Sequence, residues 1–382
     1  MIIKNCNIIF STGVKNGSIK INNGKISEIS LDNSIDCLDD TFILDGRGLY
    51  ISPGFIDTHI HGAGGYDTMD GTYEAINNIS KTIVKYGVTS FTPTTMTVDK
   101  EEIKKALKAI YLAKENKTEG ANILGIHLEG PFISPSAIGA QNPKFIVTPS
   151  VENFKNIVGE YENIVNCVTL APEVSGAKEL IRYLKEKGIT ASIGHTKATY
   201  EEAMEGIKCG CTHSTHLFNA MSPFSHRNPG TVGAIFDSDI TTETICDGIH
   251  IKYPSLRIAY KQKGLDKVLL ITDAMMACSM KDGIYTLGKQ EVKVENGAAR
   301  LLDGTLAGSI LTLNVAINNL RKNTNYSLNE LVNMATLNPA KHCNIQHKKG
   351  LIKLGYDADL TLFDDNIDIK YTIVNGKIVY KK

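Results

Sequence analysis

The chain carries no net charge, since 41 Lys+Arg face 41 Asp+Glu over 382 residues. That balance removes the long-range attraction on which nucleic-acid and anionic-membrane binders depend, so neither partner is expected. No apolar run approaches the roughly 18 uninterrupted residues of a transmembrane helix. The opening MIIKNCNIIFSTG has a broken apolar stretch and no small-residue cleavage site, and no signal peptide is read there. None of the eight cysteines (6, 37, 167, 209, 211, 246, 278 and 343) forms a CxxC pair, so a cysteine zinc knuckle and a thioredoxin-like motif are both excluded. Scattered thiols of this kind suit buried, reduced residues of a cytoplasmic protein. Internal repeats and low-complexity segments are also missing. What remains is ordinary globular composition, 42% hydrophobic and 21% charged, in a chain long enough to bury a large core unaided.

The two ends of the chain resemble each other. Residues 18–30, SIKINNGKISEIS, and 369–380, IKYTIVNGKIVY, are alternating β-formers around an Asn-Gly turn, a hairpin signal. A lone hairpin is marginal in water, so the economical arrangement is one small β domain, a β-sandwich, built from residues 1–51 and 345–382. Between them, short β-branched runs recur near 55–61, 88–92, 123–129, 166–171, 189–195, 211–216, 241–246 and 268–273. Amphipathic stretches such as YEAINNISKTIVKYG and KELIRYLKEKG separate them, each closed by glycine. Eight strands alternating with helices make an α/β fold, a parallel (β/α)8 TIM-like barrel, over residues 52–344. Residues 280–306 are expected to form an inserted hairpin, followed by a helix pair at about 309–323 and 327–342.

Active sites of such barrels lie at the C-terminal ends of the strands. Here those ends read FIDTHIH, HLEG, SIGH, HSTH and LITDAM. His59 and His61 are two apart and so face the same side of a strand. Glu129, His195, His216 and Asp273 each close a different strand. Four imidazoles and two carboxylates at one mouth form a nitrogen/oxygen donor set suited to zinc or another divalent first-row metal. The neighbouring groups have plainer readings. His213, three residues from His216, is turned away as a hydrogen-bonded barrel residue, and His127 sits one layer below Glu129. Asp57 is expected as a hydrogen-bond acceptor and Cys278 as core packing. His226, His342 and His347 are assigned no role.

The segments PGFIDTHIHG, ATLNPAKHC and KGLIKLGYDADLTLF, with the scattered Glu, His, His and Asp, resemble the amidohydrolase superfamily. Within it, HLEGPF, IGHT, STHLFNAM, the NPG after Arg227, DGIH, TDAM and DGTLAGS resemble the N-acetylglucosamine-6-phosphate deacetylases. That resemblance implies conversion of N-acetylglucosamine 6-phosphate to glucosamine 6-phosphate and acetate, by water activated on a divalent metal, zinc or iron. It assigns the primary metal to Glu129, His195 and His216, and the general base and acid to Asp273. Some members lack histidine at the positions of His59 and His61. Having both implies a second metal, with Glu129 as a bridge. Gln141 stands where some members have histidine and is expected to hydrogen-bond the acetyl carbonyl. The substrate is assigned to Ala140, Gln141, Asn219, Ala220, Arg227, Asp247, His250 and Leu306. Arg227 is expected to hold phosphate in the neighbouring subunit's site, which implies a homodimer.

Two other readings stand beside this one. The same barrel and ligands would serve a hydrolase of another amide, or a deaminase, because a fold does not choose its substrate. A non-catalytic binding module is the third, and it has no use for six conjoined metal-ligand residues.

Overall fold

The computed structural model describes residues 1–32, 34–35 and 42–382; Cys37 lies outside them. All eight expected barrel strands form: Phe55–Ile60, Val88–Pro93, the interrupted third at Asn122–Ile123 and Ile126–Glu129, Val165–Leu170, Thr190–Ile193, His213–Ser214, Thr241–Ile245 and Val268–Ile271. They pair in parallel in chain order. Strands two and three pair at Asn122 with Ser90 and Ile123 with Phe91 and by a bridge from Thr94 to His127, and a single bridge from Ile60 to Ala274 closes the ring between strands eight and one. A helix follows every strand. The first, Tyr73–Ile83, starts from Thr72, whose side chain accepts the Ala75 N–H. It runs through one tighter turn and stops at Gly87, whose φ of 84° is open to glycine at no steric cost.

The barrel core is a continuous layer of buried apolar side chains. Ile76, Ile79, Leu107, Ile110, Leu180 and Ile181 on the helices are buried with Phe55, Phe91, Val168, Ile193 and Leu270 on the strands. Each such side chain stabilises the fold by about 1.5–3 kcal/mol relative to exposure. Truncating one, Leu180→Ala for instance, would cost about 2–5 kcal/mol because the helix cannot collapse onto the gap.

The two termini do meet in one sheet. Leu360–Phe363 runs antiparallel to Tyr50–Pro53, which lies parallel to the N-terminal strand Ile2–Phe10. Eight strands result, with Gly13–Asn22 and Lys25–Ser30 at one end and Ile369–Val374 and Lys377–Lys381 at the other. Both Asn-Gly turns adopt the left-handed pair of conformations, φ 48° and 73° at Asn23 and Gly24, 50° and 75° at Asn375 and Gly376. The sheet folds until these two turns touch. A Cβ on Gly24 would lie 3.0 Å from the Asn375 carbonyl oxygen. Between the arms lie Ile8, Ile19, Ile26, Leu360, Leu362 and Ile373. Thr361 and Thr372 then donate to Gly87 O and Val84 O, fastening this sheet to the barrel.

Two expectations change. Residues 280–306 form a three-stranded meander, Gly283–Leu287, Gln290–Glu295 and Ala298–Leu301, rather than a single hairpin. The second turn, Asn296-Gly297, is itself an Asn-Gly signal, with φ 53° and 81°. The expected helix 327–342 is two, Leu328–Met334 and Leu337–His342. Pro339 has no N–H to give to Ala335 and would crowd its carbonyl in a continuous helix. Freed by the break, that carbonyl accepts the Ile56 N–H at 2.8 Å instead.

Candidate metal centre

His59, His61, Glu129, His195, His216 and Asp273 come together at the floor of a cleft of about 630 Å³ at the C-terminal mouth of the barrel. The volume suits a small molecule. All six are nearly buried, from 0% exposed at His59 to 8% at Asp273. Three of them lie just past a strand end in left-handed backbone, at φ 47° for His195, 30° for His216 and 49° for Asp273. Such conformations cost an L-residue energy and are kept where the surroundings enforce them. Here they turn the side chains over the barrel mouth.

The donor atoms fall into two groups sharing Glu129. Its Oε1 lies 3.3 Å from His195 Nε2 and 3.1 Å from His216 Nε2, and those nitrogens are 3.1 Å apart. Its Oε2 lies 3.3 Å from His61 Nε2, and its Oε1 3.4 Å from His59 Nε2. Asp273 Oδ1 stands 3.2 Å from His61 Nε2 and 3.4 Å from His59 Nε2. Donors bound tetrahedrally to one ion at about 2.0–2.1 Å are about 3.3 Å apart, so the spacing fits a first-row metal. His59 Nε2 is also buried without a hydrogen-bond partner, as a nitrogen reserved for a cation would be. Three imidazoles are oriented from behind: Nδ1 of His61 meets Thr94 O at 3.2 Å, that of His195 meets Ala137 O at 3.0 Å, and that of His59 meets Glu243 at 2.9 Å. Each acceptor holds a proton on Nδ1, so Nε2 is the nitrogen that would become the ligand once a metal takes the place of any proton there.

The charges support one another. Burial opposes ionisation of Glu129, but His59, His195, His216 and His61 outweigh it and hold its carboxyl well below the usual range. Burial likewise opposes the charge on His59, yet Glu129, Glu243 and Asp273 raise its pKa to about 9. Asp273 is held below its ordinary value, the penalty of burial being exceeded by the effects of His59 and His61.

The plainer readings have their places. His213 packs on His342 with ring centroids 4.1 Å apart and meets Thr241 Oγ1 at 2.7 Å. His127 bonds Thr169 Oγ1 at 2.7 Å; burial, with His59 close by, lowers its pKa to about 3. Asp57 accepts Thr272 Oγ1–H at 2.6 Å and so ties strand one to strand eight. Burial raises the Cys278 thiol to about 12, in keeping with packing. All seven described cysteines are free.

Of the expected substrate residues, Ala140, Gln141, Asn219, Ala220, His250 and Leu306 line the cleft. Asp247 stands behind His250, 2.6 Å from its Nδ1, leaving Nε2 to face the cleft. Gln141 is already engaged: Nε2 donates to Glu129 Oε2 at 2.7 Å and Oε1 accepts the Thr97 N–H at 2.7 Å. Bonding an acetyl carbonyl would require this amide to release a partner. Arg227 is exposed on its loop and does not line this chain's cleft. Three contributors escaped the reading of the sequence. Lys197 and Arg300 bring positive charge to the cleft wall, one two residues beyond His195 and the other on the meander. Glu243 was detectable as a lone carboxylate in the otherwise apolar and hydroxylic strand TTETI.

The family model for the amidohydrolases matches residues 50–379. The N-acetylglucosamine-6-phosphate deacetylase of Bacillus subtilis is 40% identical, over 100% of this chain and 97% of its own length. The crystal structure of the Pasteurella multocida deacetylase superposes with a TM-score of 0.94 at 32% identity, covering 100% of this chain and 99% of that one. The Mycobacterium smegmatis enzyme in complex with N-acetyl-D-glucosamine-6-phosphate gives a TM-score of 0.92 at 28% identity, covering 100% of this chain and 99% of that one. With relatives matched along their whole length and a barrel whose strand ends carry the donor set, the chain belongs to the amidohydrolase family, among the N-acetylglucosamine-6-phosphate deacetylases.

Proposed function

We propose that this protein hydrolyses the acetamido group of N-acetylglucosamine 6-phosphate, releasing acetate and glucosamine 6-phosphate in amino-sugar breakdown in the cytoplasm. The observation that carries this reading is the convergence of His59, His61, Glu129, His195, His216 and Asp273 beneath one small-molecule cleft, in a chain related end to end to such deacetylases. Glu129, His195 and His216 would hold a first divalent ion, zinc or iron; His59 and His61, sharing Glu129, would hold a second. A metal bound there polarises a carbonyl and acidifies water.

Asp273 supplies the proton traffic. Its low pKa leaves it ionised at neutral pH, at the cleft floor. It takes a proton from the attacking water as the C–O bond forms and gives it to the departing nitrogen as the C–N bond breaks. The products are acetate and the free amine. Ala140, Asn219, Ala220, His250 and Leu306 would surround the sugar, with Asp247 fixing the His250 ring. Gln141 would hold Glu129 and turn to the acetyl group on release. Arg227, outside its own cleft, would reach a neighbouring subunit and hold phosphate there with a bidentate fork, which makes the working unit a homodimer. Residues 1–51 and 345–382 would act as one supporting β domain and 52–344 as the catalytic barrel.

Acetate release from N-acetylglucosamine 6-phosphate tests this, run beside the unphosphorylated sugar and the 6-phosphate of N-acetylgalactosamine, with and without a chelator. Fast, chelator-sensitive release from the first compound alone is expected. Release unaffected by a chelator would remove the metal, and none from any of the three would send the substrate back to other amides.

A further inference from the structure

We propose that Glu243 is the positioning residue that makes the strand-one histidines able to hold a second metal ion, an inference that rests on the metal-hydrolase reading above. Glu243 lies inside the barrel on strand seven and is 1% exposed. Its Oε2 accepts from His59 Nδ1 at 2.9 Å and from the His216 backbone N–H at 3.2 Å, while Oε1 stands 3.3 Å from His213 Nε2. A carboxylate buried this deeply must take its hydrogen bonds from what surrounds it.

The consequence falls on His59. A neutral imidazole has one proton for two nitrogens. Placed on Nε2, that proton would be offered to Glu129 or Asp273, each 3.4 Å away, and the lone pair needed for a metal would be lost. Placed on Nδ1, it meets the carboxylate of Glu243, and Nε2 stays bare. His61 and His195 are set the same way by neutral carbonyls of Thr94 and Ala137. Only His59, among the four, leans on a carboxylate, the stronger acceptor. It is also the imidazole with carboxylates on both sides, where the wrong tautomer is most strongly invited.

The same carboxylate oxygen grips the His216 N–H, in a residue with φ of 30°. One side chain thus sets a ligand of each donor group, and the two groups are held in fixed relation. In sequence Glu243 is 184 residues from His59, and no local motif links them.

The test uses the full-length parent and the variants Glu243→Gln and Glu243→Ala, each stripped of metal, reloaded with Zn2+ and dialysed against a competing chelator. The parent is expected to keep two ions. In Glu243→Ala the second ion should bind on the order of 10–100-fold more weakly, the loss usual when a metal-bound histidine loses its orienting partner. Glu243→Gln should fall between, because its amide oxygen can still accept from His59. Nitrogen-15 spectra of the Zn2+-loaded histidine rings give a readout independent of turnover: His59 should carry its proton on Nδ1 and bind metal through Nε2 in the parent, and should lose that pattern in Glu243→Ala. Two ions held by both variants with parental affinity, an unchanged His59 tautomer, or a parent holding one ion would each overturn the proposal. A parent that binds no ion and releases no acetate would instead overturn the metal-hydrolase reading itself.

Discussion

The side-chain amide of Gln141 donates to Glu129 Oε2 at 2.7 Å, so the residue expected to greet the substrate grips the carboxylate shared by both donor groups. Its second N–H points to Met96 Sδ at 3.7 Å. Replacing it by methionine keeps the volume and removes the clamp. Gln141→Met should weaken metal retention on the order of 10–100-fold, read as ions lost per hour to a chelator. Parental retention would show that Glu129 needs no such support.

Asp273→Asn should lower turnover on the order of 10²–10⁴-fold, since an amide cannot carry the proton from water to the amine. The bound metal should stay, because Glu129, His195 and His216 are untouched. Metal content by mass spectrometry and acetate release on the same sample check both halves. An active, metal-loaded variant would take Asp273 out of the mechanism.

Arg227→Ala tests the phosphate contact. Loss of charged hydrogen bonds should raise KM for N-acetylglucosamine 6-phosphate on the order of 10–100-fold while kcat changes little. Mixing this variant with Asp273→Asn and letting the subunits exchange should restore partial activity, since one hybrid site then has both an intact Asp273 and a neighbour's Arg227. No restoration would argue that the arginine serves its own subunit or none.

Asp67 offers a prediction about stability. Its Oδ1 caps a short turn by accepting the Met69 N–H at 2.8 Å, but Oδ2 is buried without a partner. Burial raises its pKa to about 6. The native state therefore holds this proton more tightly than the unfolded chain. The stabilisation is full below about pH 4, and it is lost as pH rises through about 6. Asp67→Asn keeps the cap acceptor and abolishes the buried charge. Under chelator, its unfolding free energy from urea denaturation should match the parent near pH 4 and exceed it at pH 7 by about 3 kcal/mol. Equal midpoints at both values would show that the carboxylate finds water in solution.

The eight strands, the helices between them and the two terminal hairpins could be read from periodicity and Asn-Gly turns because those signals are local. Period two places His59 and His61 on one side whatever else the chain does. Pro339 could have broken the last helix on paper, by the same local reasoning. Asn296-Gly297 was equally readable. The positions of six donor residues at predicted strand ends already placed them at one mouth, and the family motifs then assigned their roles.

What the chain's linear pattern could not carry was which side chain faces which across the closed barrel. Glu243 and His59 lie on strands seven and one, and Gln141 reaches Glu129 from the long loop after strand three. Those contacts depend on strand stagger and on where the ring closes, at Ile60 against Ala274. They depend also on three left-handed residues, His195, His216 and Asp273, whose φ no propensity foretells. Local sequence decides what each segment is and which face it buries. The identity of a buried group's partner emerges only when segments far apart in the chain pack and every polar atom excluded from water has to find its complement.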